Sequence, residues 1–376
     1  MEPSKVLVSP GHKYFEFNLK FLFAVGLWPH KEWCRNKLEL YKMYETNLHI
    51  LSVVYLIISS IGTYNIRGNM EILMSNLDKS LIGYVFVFKI FAFEIKRKEL
   101  RSLVNDIMQS GDNITKKCED RMTSLLMFVM ILVTMIVSAF SMSALYDGEM
   151  TVEAWMPFDP LQSKKHLLMA AQILAVTFMP CALRGVGLQG IVCSVIMYFC
   201  EQLQDVQMRI RHLHYSPQRD EEVRQEFKDI VKKHVRLIRY AKSIENVFNS
   251  FMLFHNLAMS VELCLNALMI SVVGTEEKKT LVNFLAFFGI ALLNTYILCY
   301  LGNEMIIQSE GISQAAYEAS WSFWPIDMQR DLLTLITVSQ RPLKLSAGGI
   351  AVISLQTYCQ ILYNGYSIFT MLHDMM

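Results

Sequence analysis

Few residue patterns in this chain could carry chemistry. Gly185, Gly187 and Gly190 have the spacing of a dinucleotide-binding loop, and Asp205 follows where the ribose-binding acid is expected. Such a loop must follow a β-strand, whereas these glycines lie inside a long apolar run. We therefore interpret them as small residues that let two helices approach closely.

Patterns typical of other enzymes are missing from the sequence. It contains no HExxH motif, Walker A loop, GxSxG motif or closely spaced cysteine pair. His212 and His214 lie two residues apart, which does not place them on one helical face. The eight cysteines are interpreted as small apolar residues within helices. No cofactor or metal is expected, and a membrane-embedded enzyme stays a weak alternative.

The last apolar run carries a polar stripe. Polar side chains are costly in lipid, so this face of a helix must meet other helices or water. The periodicity leaves two interpretations open: hydrogen bonding between helices, or one wall of a water-filled pore. In the second, Met371 would narrow the pore. The stripe recurs at steps of three and four residues: Thr357, Gln360, Asn364, Ser367, Met371 and Asp374.

Long apolar runs dominate the 376 residues, of which 53% are apolar and 18% charged. A typical soluble domain has about 25% charged residues. The sequence therefore predicts an all-α membrane protein with seven transmembrane helices. The fourth run is too long for one simple span, and its C-terminal part is expected to continue as a solvated helix. The seven runs are Asn47–Tyr64, Leu73–Phe93, Thr123–Leu145, Leu167–Cys200, Phe248–Val273, Leu281–Leu301 and Leu345–Leu372.

Lysine and arginine are unevenly distributed between the loops. The N-terminal segment and every second loop after it hold 27 of them, whereas the opposite loops and the C-terminal tail hold 5. Because cytoplasmic loops carry the excess, the N-terminus is predicted inside and the C-terminus outside, opposite to G-protein-coupled receptors. The stretch Tyr14–Trp28 is too short to span, so an amphipathic helix on the inner leaflet is expected. A net charge of +1 does not favour nucleic acid as a partner.

Two internal segments could hold subunits together. The polar stretch Glu201–Lys242 has a helical pattern typical of a solvated helix, with a docking surface as the alternative. The short amphipathic stretch Asp327–Val338 must cover its apolar side chains, either against its own chain or against neighbouring subunits. These side chains are Leu332, Leu333, Leu335 and Ile336.

Several stretches near the C-terminus are more distinctive. They are Gly302-Asn303-Glu304, Gln308–Ile312 and Ser320-Trp321 after the sixth run, Gln340–Gly349 before the seventh, and Tyr366–Thr370 within it. Over about the last 75 residues they resemble insect odorant receptors. Upstream the resemblance is limited to the length, the seven spans, the orientation and the long charged internal loops. A gustatory-type receptor of the same superfamily would be expected to carry a different signature here. A transporter would show broken spans in two matching halves.

The resemblance implies an odorant-gated, non-selective cation channel subunit in the plasma membrane of olfactory sensory neurons. It implies a heterotetramer with an odorant co-receptor, in which 1–46 is cytoplasmic, 47–301 holds the first six spans, 302–344 anchors the subunits and 345–376 lines the pore. Asp327–Val338 would then belong to the anchor, and the stripe would be the pore wall with Met371 at its gate. Gly365 departs from the family pattern and is expected to loosen that helix.

The resemblance also implies a ligand site in the outer half of the membrane, between the second, third, fourth and sixth spans. A pocket there would bind a small volatile molecule by apolar burial with one or two polar contacts. By position, its residues are Leu77, Leu81, Tyr84, Phe140, Ser141, Ala144, Met169, Gln172, Phe287 and Ile290.

Overall fold

The computed structural model describes residues 10–30, 33–34, 37–273 and 278–375. Some side chains within these ranges, among them Phe140, Ala144 and Asp374, lie outside the description. In these residues nine α-helices and one two-stranded antiparallel sheet follow one another in chain order: α1 Pro10–Ala24, α2 Leu38–Asn65, α3 Met70–Gln109, α4 Lys116–Asp147, α5 Lys164–Arg211, α6 Asp220–Val273, α7 Lys278–Glu318, α8 Ile326–Ser339, β1 Ser346–Ala347, β2 Ala351–Val352 and α9 Leu355–Met375.

Five of the described helices are long and apolar enough to cross a membrane, namely α2, α4, α5, α6 and α7. The predicted spans in α3 and α9 lie outside this set. Asp78, Lys79 and Lys89 charge the apolar part of α3, and α9 carries the polar stripe. Both helices nevertheless pack against α6. Interior and subunit-facing helices need less apolar surface than helices that lipid surrounds.

The centre of the bundle is α5, which contacts α1, α2, α3, α4, α6 and α7. Its glycines explain how neighbours come so near. A Cβ atom at Gly185 would lie 2.2 Å from the Phe86 ring, and one at Gly190 would lie 2.5 Å from Leu126. This confirms that the glycines serve close helix packing, and the surrounding helix excludes a dinucleotide-binding loop.

The N-terminal helix α1 forms as expected, but protein covers its apolar face. Tyr14, Phe15 and Leu22 are fully buried in the main core. The Tyr14 hydroxyl donates to the Ser194 carbonyl oxygen at 2.9 Å, which ties α1 to α5. The inner-leaflet expectation is thus corrected for this face, because contacts with α5 and α3 replace lipid.

The extended ends of α3, α5, α6 and α7 converge with α8 into a packed unit, which we call the charged end. The segment expected as a solvated helix forms two helices, the end of α5 and the start of α6, joined through residues 212–219. One face of each is buried, with Ile210, Ile230 and Leu237 fully inaccessible. The opposite face carries the exposed charges, because an amphipathic helix buries only one stripe.

The last helix begins ten residues later than the apolar run suggested, at Leu355 instead of Leu345. Before it, β1 and β2 pair with Ser346 opposite Val352. Gly348 and Gly349 make the turn with φ of +64° and +71°, a region that favours glycine. The paired glycines therefore stop the helix from starting earlier, although the residues around them are apolar.

Candidate functional site

A cavity of about 490 Å³ lies within the helix bundle. Side chains of α3, α4, α5, α6 and α7 line it, together with Tyr55 of α2 and Thr151 and Val152 from the loop before α5. Along α3 it reaches from Lys79 to Lys89, which is about 15 Å of helix. Most of the lining is apolar, so the cavity suits a small, largely hydrophobic molecule.

The residues predicted for the ligand site divide into three groups. Ser141, Gln172, Phe287 and Ile290 are brought together in the lining of the cavity. Outside the lining lie Leu77, Leu81, Tyr84 and Met169. The side chains of Phe140 and Ala144 are outside the described part of the chain. Helix rotation accounts for the second group: on α3 the lining positions are Lys79, Ile82, Val85, Phe86 and Lys89, which share another face.

Several polar residues of the lining were not predicted, among them Lys89, Gln189 and Glu262. These three are buried, and Lys89 and Glu262 are only 2% and 4% exposed. The sequence did contain a signal for them, because a charged residue within a membrane span marks a functional site by default.

The polar stripe of α9 faces outward from the chain. Gln360, Asn364, Ser367 and Met371 are exposed, with Met371 at 64%, and Thr357 is half-buried. The Gln360 amide donates to Asn364 Oδ1 at 2.8 Å, within the stripe itself. Hydrogen bonding to neighbouring helices of the same chain is therefore not its role at these positions; Asp374 lies outside the described side chains.

The opposite face of α9 holds it to the bundle. Ile361 is buried in a cluster with Met259 and Leu263 of α6. A Cβ atom at Gly365 would lie 3.4 Å from Leu263 Cβ, and α9 runs unbroken through this glycine. Gly365 thus lies at the contact between α9 and α6, where a Cβ atom would also fit, and the loosening of the helix there stays a prediction.

Helix α8 divides the predicted subunit contacts into two pairs. Leu332 and Leu335 are buried in the core of their own chain, so they are corrected from interface to interior residues. Leu333 is 64% exposed, and Ile336 is half-buried against the same core. Helical periodicity explains the split, since positions 332 and 335 share a face that 333 does not.

Charges within the charged end are paired. Asp112 accepts a hydrogen bond from the Tyr198 hydroxyl at 2.7 Å and forms ion pairs with Arg236 at 2.5 Å and Lys233 at 3.4 Å. Burial by itself raises the pKa of Asp112, but the Tyr198 hydrogen bond and the two cations outweigh it and hold that pKa below its ordinary value. This network joins the loop after α3 to α5 and α6.

Glu45, His49 and Glu94 form a second cluster, with ligand atoms within 4.8 Å of one another. Arg97 donates to Glu94 at 2.8 Å and also to Glu45, and Arg184 lies 3.1 Å from His49 Nε2. Two guanidinium groups already neutralise these carboxylates. The cluster is therefore an ion-pair network that joins α2, α3 and α5.

Comparison with known proteins gives the family. The family model for the 7tm odorant receptor matches residues 69–366. Odorant receptor 13a of Drosophila melanogaster is 30% identical over 193 residues, which are 48% of this chain and 46% of that receptor. Odorant receptor 2a of the same species is 22% identical over 237 residues, 60% of each chain. The chain thus spans about half the length of the curated relatives it matches.

The fold has a close structural counterpart. A structure of the insect olfactory receptor OR5 from Machilis hrabei in complex with eugenol superimposes with a TM-score of 0.84, covering 97% of this chain and 98% of that one. A second structure of that receptor gives 0.77. At 17% identity the first likeness shows the fold alone, an all-α bundle of seven membrane-spanning helices. Together with the family-model match, it shows that this multi-pass membrane protein belongs to the 7tm odorant receptor family.

Proposed function

We propose that this chain is the odorant-binding subunit of a ligand-gated, non-selective cation channel. The cavity carries the proposal. It is closed in by five helices, and its volume of about 490 Å³ falls within the range of small-molecule sites. A volatile molecule would bind there mainly by burial of apolar surface. Eugenol, named with the Machilis hrabei receptor, is a molecule of this size class.

The outward polar stripe of α9 supports a pore in an assembly of several subunits. A face with Gln360, Asn364 and Ser367 exposed is not compatible with lipid. Several subunits that turn this face toward a common axis would enclose water, and Met371 would narrow the path. In this proposal α9, not the cavity, conducts ions, and ligand binding changes the packing of the helices between them.

The exposed apolar residues of the charged end supply a surface for the partner subunits. Leu333 and Ile326 of α8 and Phe323 just before it are all exposed. Such residues are expected to be covered in the assembled protein. We propose that the partner is an odorant co-receptor and that the charged end lies in the cytoplasm, as the distribution of basic residues indicates.

The decisive experiment records membrane current from cells that express this chain with a co-receptor, the co-receptor alone, or this chain alone. A panel of volatiles is applied to each. We expect ligand-evoked cation current that depends on this chain, at the plasma membrane. If no volatile in the panel evokes a current although both subunits reach the surface at normal levels, the proposal is contradicted.

Glycosylation tests the orientation separately. Asn113-Ile114-Thr115 is the only sequon in the chain and lies beside the charged end, where Gln202 donates to the Asn113 carbonyl oxygen. A cytoplasmic Asn113 stays unmodified in eukaryotic cells. A sequon engineered into the loop before α5 serves as the positive control. A glycosidase-sensitive mass shift mapped to Asn113 would reverse the proposed orientation.

A further inference from the structure

Where α3 packs against α6 within the membrane, both helices carry polar residues. Two polar contacts join the helices. Asp78 accepts a hydrogen bond from the Asn266 amide at 2.7 Å, and Lys89 Nζ lies 2.9 Å from His255 Nδ1. All four side chains are buried. These contacts give each of the four side chains a partner in a medium without water, although Asn266 Oδ1 and His255 Nε2 have none in the described structure.

Glu262 lies on the same face of α6 and, unlike Asn266 and His255, lines the cavity. Its Oε2 atom is buried and has no hydrogen-bond partner among the described residues. The side chain lines the cavity, although it is only 4% exposed overall. An unpartnered buried carboxylate oxygen is costly, so a native structure that keeps one requires an explanation.

Lys89 provides the complementary group. It lines the same cavity and contributes a positive charge that acts on Glu262 through space. An ammonium group has three N–H donors, and the contact with His255 occupies one of them. Its side chain also lies over the Phe251 ring, with Nζ 4.9 Å from the ring centre. The inner end of the cavity thus presents a donor and an acceptor on two different helices.

Gln189 adds to this polar end from α5. It lines the cavity, and neither its amide nitrogen nor its amide oxygen has an oxygen or nitrogen partner in the described structure. The Cys193 thiol beside it is at most a weak partner. By contrast, the part of the cavity near Val133, Val137 and Phe287 is apolar. The lining therefore has a polar end at Lys89, Gln189 and Glu262 and an apolar stretch, with further polar residues at the opposite end, where Lys79, Thr151 and Gln172 lie.

We propose that this polar end recognises a hydroxyl group, and that the cavity selects small apolar alcohols or phenols. A hydroxyl can accept a hydrogen bond from the Lys89 ammonium and donate one to the Glu262 carboxylate. An ether, ester or ketone oxygen can only accept, and would leave Glu262 Oε2 unpartnered. A hydrocarbon would form a hydrogen bond with neither group. A charged amine or acid would add a third ionic group to a dry site, at a large desolvation cost.

This inference rests on the proposed function, since it uses the cavity as the ligand site. It deepens that function by naming the chemical class of the ligand. Hydrogen bonds to charged groups such as Lys89 and Glu262 are stronger than those between neutral groups. A site built to bond a hydroxyl rejects an analogue that lacks it, and the rejection exceeds what one methylene group contributes.

The first test uses the wild-type chain with its co-receptor and matched triplets of ligands. One triplet is octan-1-ol, 1-methoxyheptane and nonane, and the other is 2-phenylethanol, its methyl ether and propylbenzene. In at least one triplet the alcohol should be effective at a concentration about tenfold lower than its ether. Currents evoked by other volatiles, with alcohols no better than their ethers in both triplets, would overturn the inference and leave the proposed function intact.

The second test asks which residues produce the preference. The preference is measured as the effective concentration of the ether divided by that of its alcohol. Glu262→Gln and Lys89→Met should each lower this ratio toward one. Asp78→Asn is the matched control, because Asp78 is a buried acid of the same interface that does not line the cavity and already has Asn266 as a partner. It should leave the ratio unchanged. Since the ratio is measured within each variant, a lower surface level does not alter it.

A binding measurement separates recognition from gating. Ligand-induced shifts in the thermal unfolding of the purified receptor assembly are compared for each alcohol and its ether. If no compound evokes current but alcohols alone stabilise the wild type, the inference stands and the gating proposal fails. If alcohols and ethers stabilise it equally, or if the preference survives both Glu262→Gln and Lys89→Met, the polar end is not the recognition element.

Discussion

The charged end and the cavity half of this molecule differ in how their buried ionic groups are paired. Around Asp112 every buried ionic group has a partner within the chain, namely Tyr198, Lys233 or Arg236. Around the cavity, Glu262 and Gln189 have atoms with no hydrogen-bond partner in the described residues. Completed networks rigidify a structure, whereas incomplete ones are kept where a ligand or a movement completes them. This difference fits a rigid charged end and the ligand site that we propose for the cavity half.

Packing follows the same division. The charged end belongs to one continuous core with α1, α5 and α7, in which Leu203, Ile230 and Met305 are fully buried. The cavity half has smaller, separate clusters around about 490 Å³ of open volume. Open volume costs packing contacts, so the cavity half is the less stable region and the one that a ligand can tighten.

The strongest test of this comparison removes the centre of the charged network. Asp112→Ala leaves Lys233 buried beside an empty site, because its side chain is only 8% exposed. Loss of one partner of a buried ion pair is expected to cost about 3 kcal/mol. We expect a sharply lower unfolding temperature and surface level. Asp205→Ala is the control: Asp205 also pairs with Lys233 but is 37% exposed, so its loss should cost less than about 1 kcal/mol.

The same carboxylate predicts a direction for the effect of pH. Because folding lowers the pKa of Asp112, its stabilising contribution is complete above the ordinary pKa of aspartate, about 3.9. The contribution is lost as the pH falls through the lower pKa of the folded state. The free energy of unfolding should therefore decrease in that acidic range. In Asp112→Asn this part of the decrease should be absent.

Two substitutions in α8 test the exposed face and the buried face of the charged end separately. Leu333→Asp places a carboxylate on the exposed face and should abolish association with the co-receptor, while the chain keeps its unfolding temperature. Leu335→Asp places it in the core and should unfold the charged end, at a cost of several kcal/mol. Co-purification and thermal unfolding are measured for both. Normal association of Leu333→Asp would remove α8 from the proposed subunit contact.

The cavity half should respond differently to added volume at two neighbouring residues. Ala171 lines the cavity, whereas Ala170 is fully buried outside it. Ala171→Phe should fill the ligand site and raise the effective ligand concentration at least about tenfold, without a loss of surface protein. Ala170→Phe should overpack its cluster and destabilise the protein by about 1–3 kcal/mol. Dose–response curves and surface labelling distinguish the two, and equal effects would argue against the cavity as the binding site.

The smallest effects are expected at the outer end of α9. Asp374→Asn should lower conductance modestly, and more at low ionic strength, because salt screens a carboxylate beyond about 8–10 Å. Met371→Ala removes bulk at the proposed constriction and should raise resting current instead. Neither change should alter which ligands activate. If resting current, conductance and permeability ratios all stay unchanged, this face of α9 does not line the pore.

The sequence predicted the structure of some of these regions better than that of others. Hydropathy predicted the seven spans, and helical spacing predicted the shared face of Gln360, Asn364 and Ser367, because both properties are local. The same spacing placed Leu332 to Ile336 on one amphipathic helix. It did not decide which leucines face inward, because that depends on the orientation of α8 against α7. Of the positions predicted for the ligand site, four line the cavity, whereas Leu77, Leu81 and Tyr84 lie on another face of α3.

The sequence by itself determined the class of the protein: an all-α membrane protein with resemblance to odorant receptors, built from apolar runs and a polar last helix. Only the tertiary structure brought Lys89, Gln189 and Glu262 to one cavity, since they lie on three helices far apart in the chain. Tertiary packing also decided that α1 is covered by α5 and that the paired glycines delay α9 until Leu355. Periodicity records which residues share a helix face, whereas the rotation of each helix depends on the neighbours that it packs against.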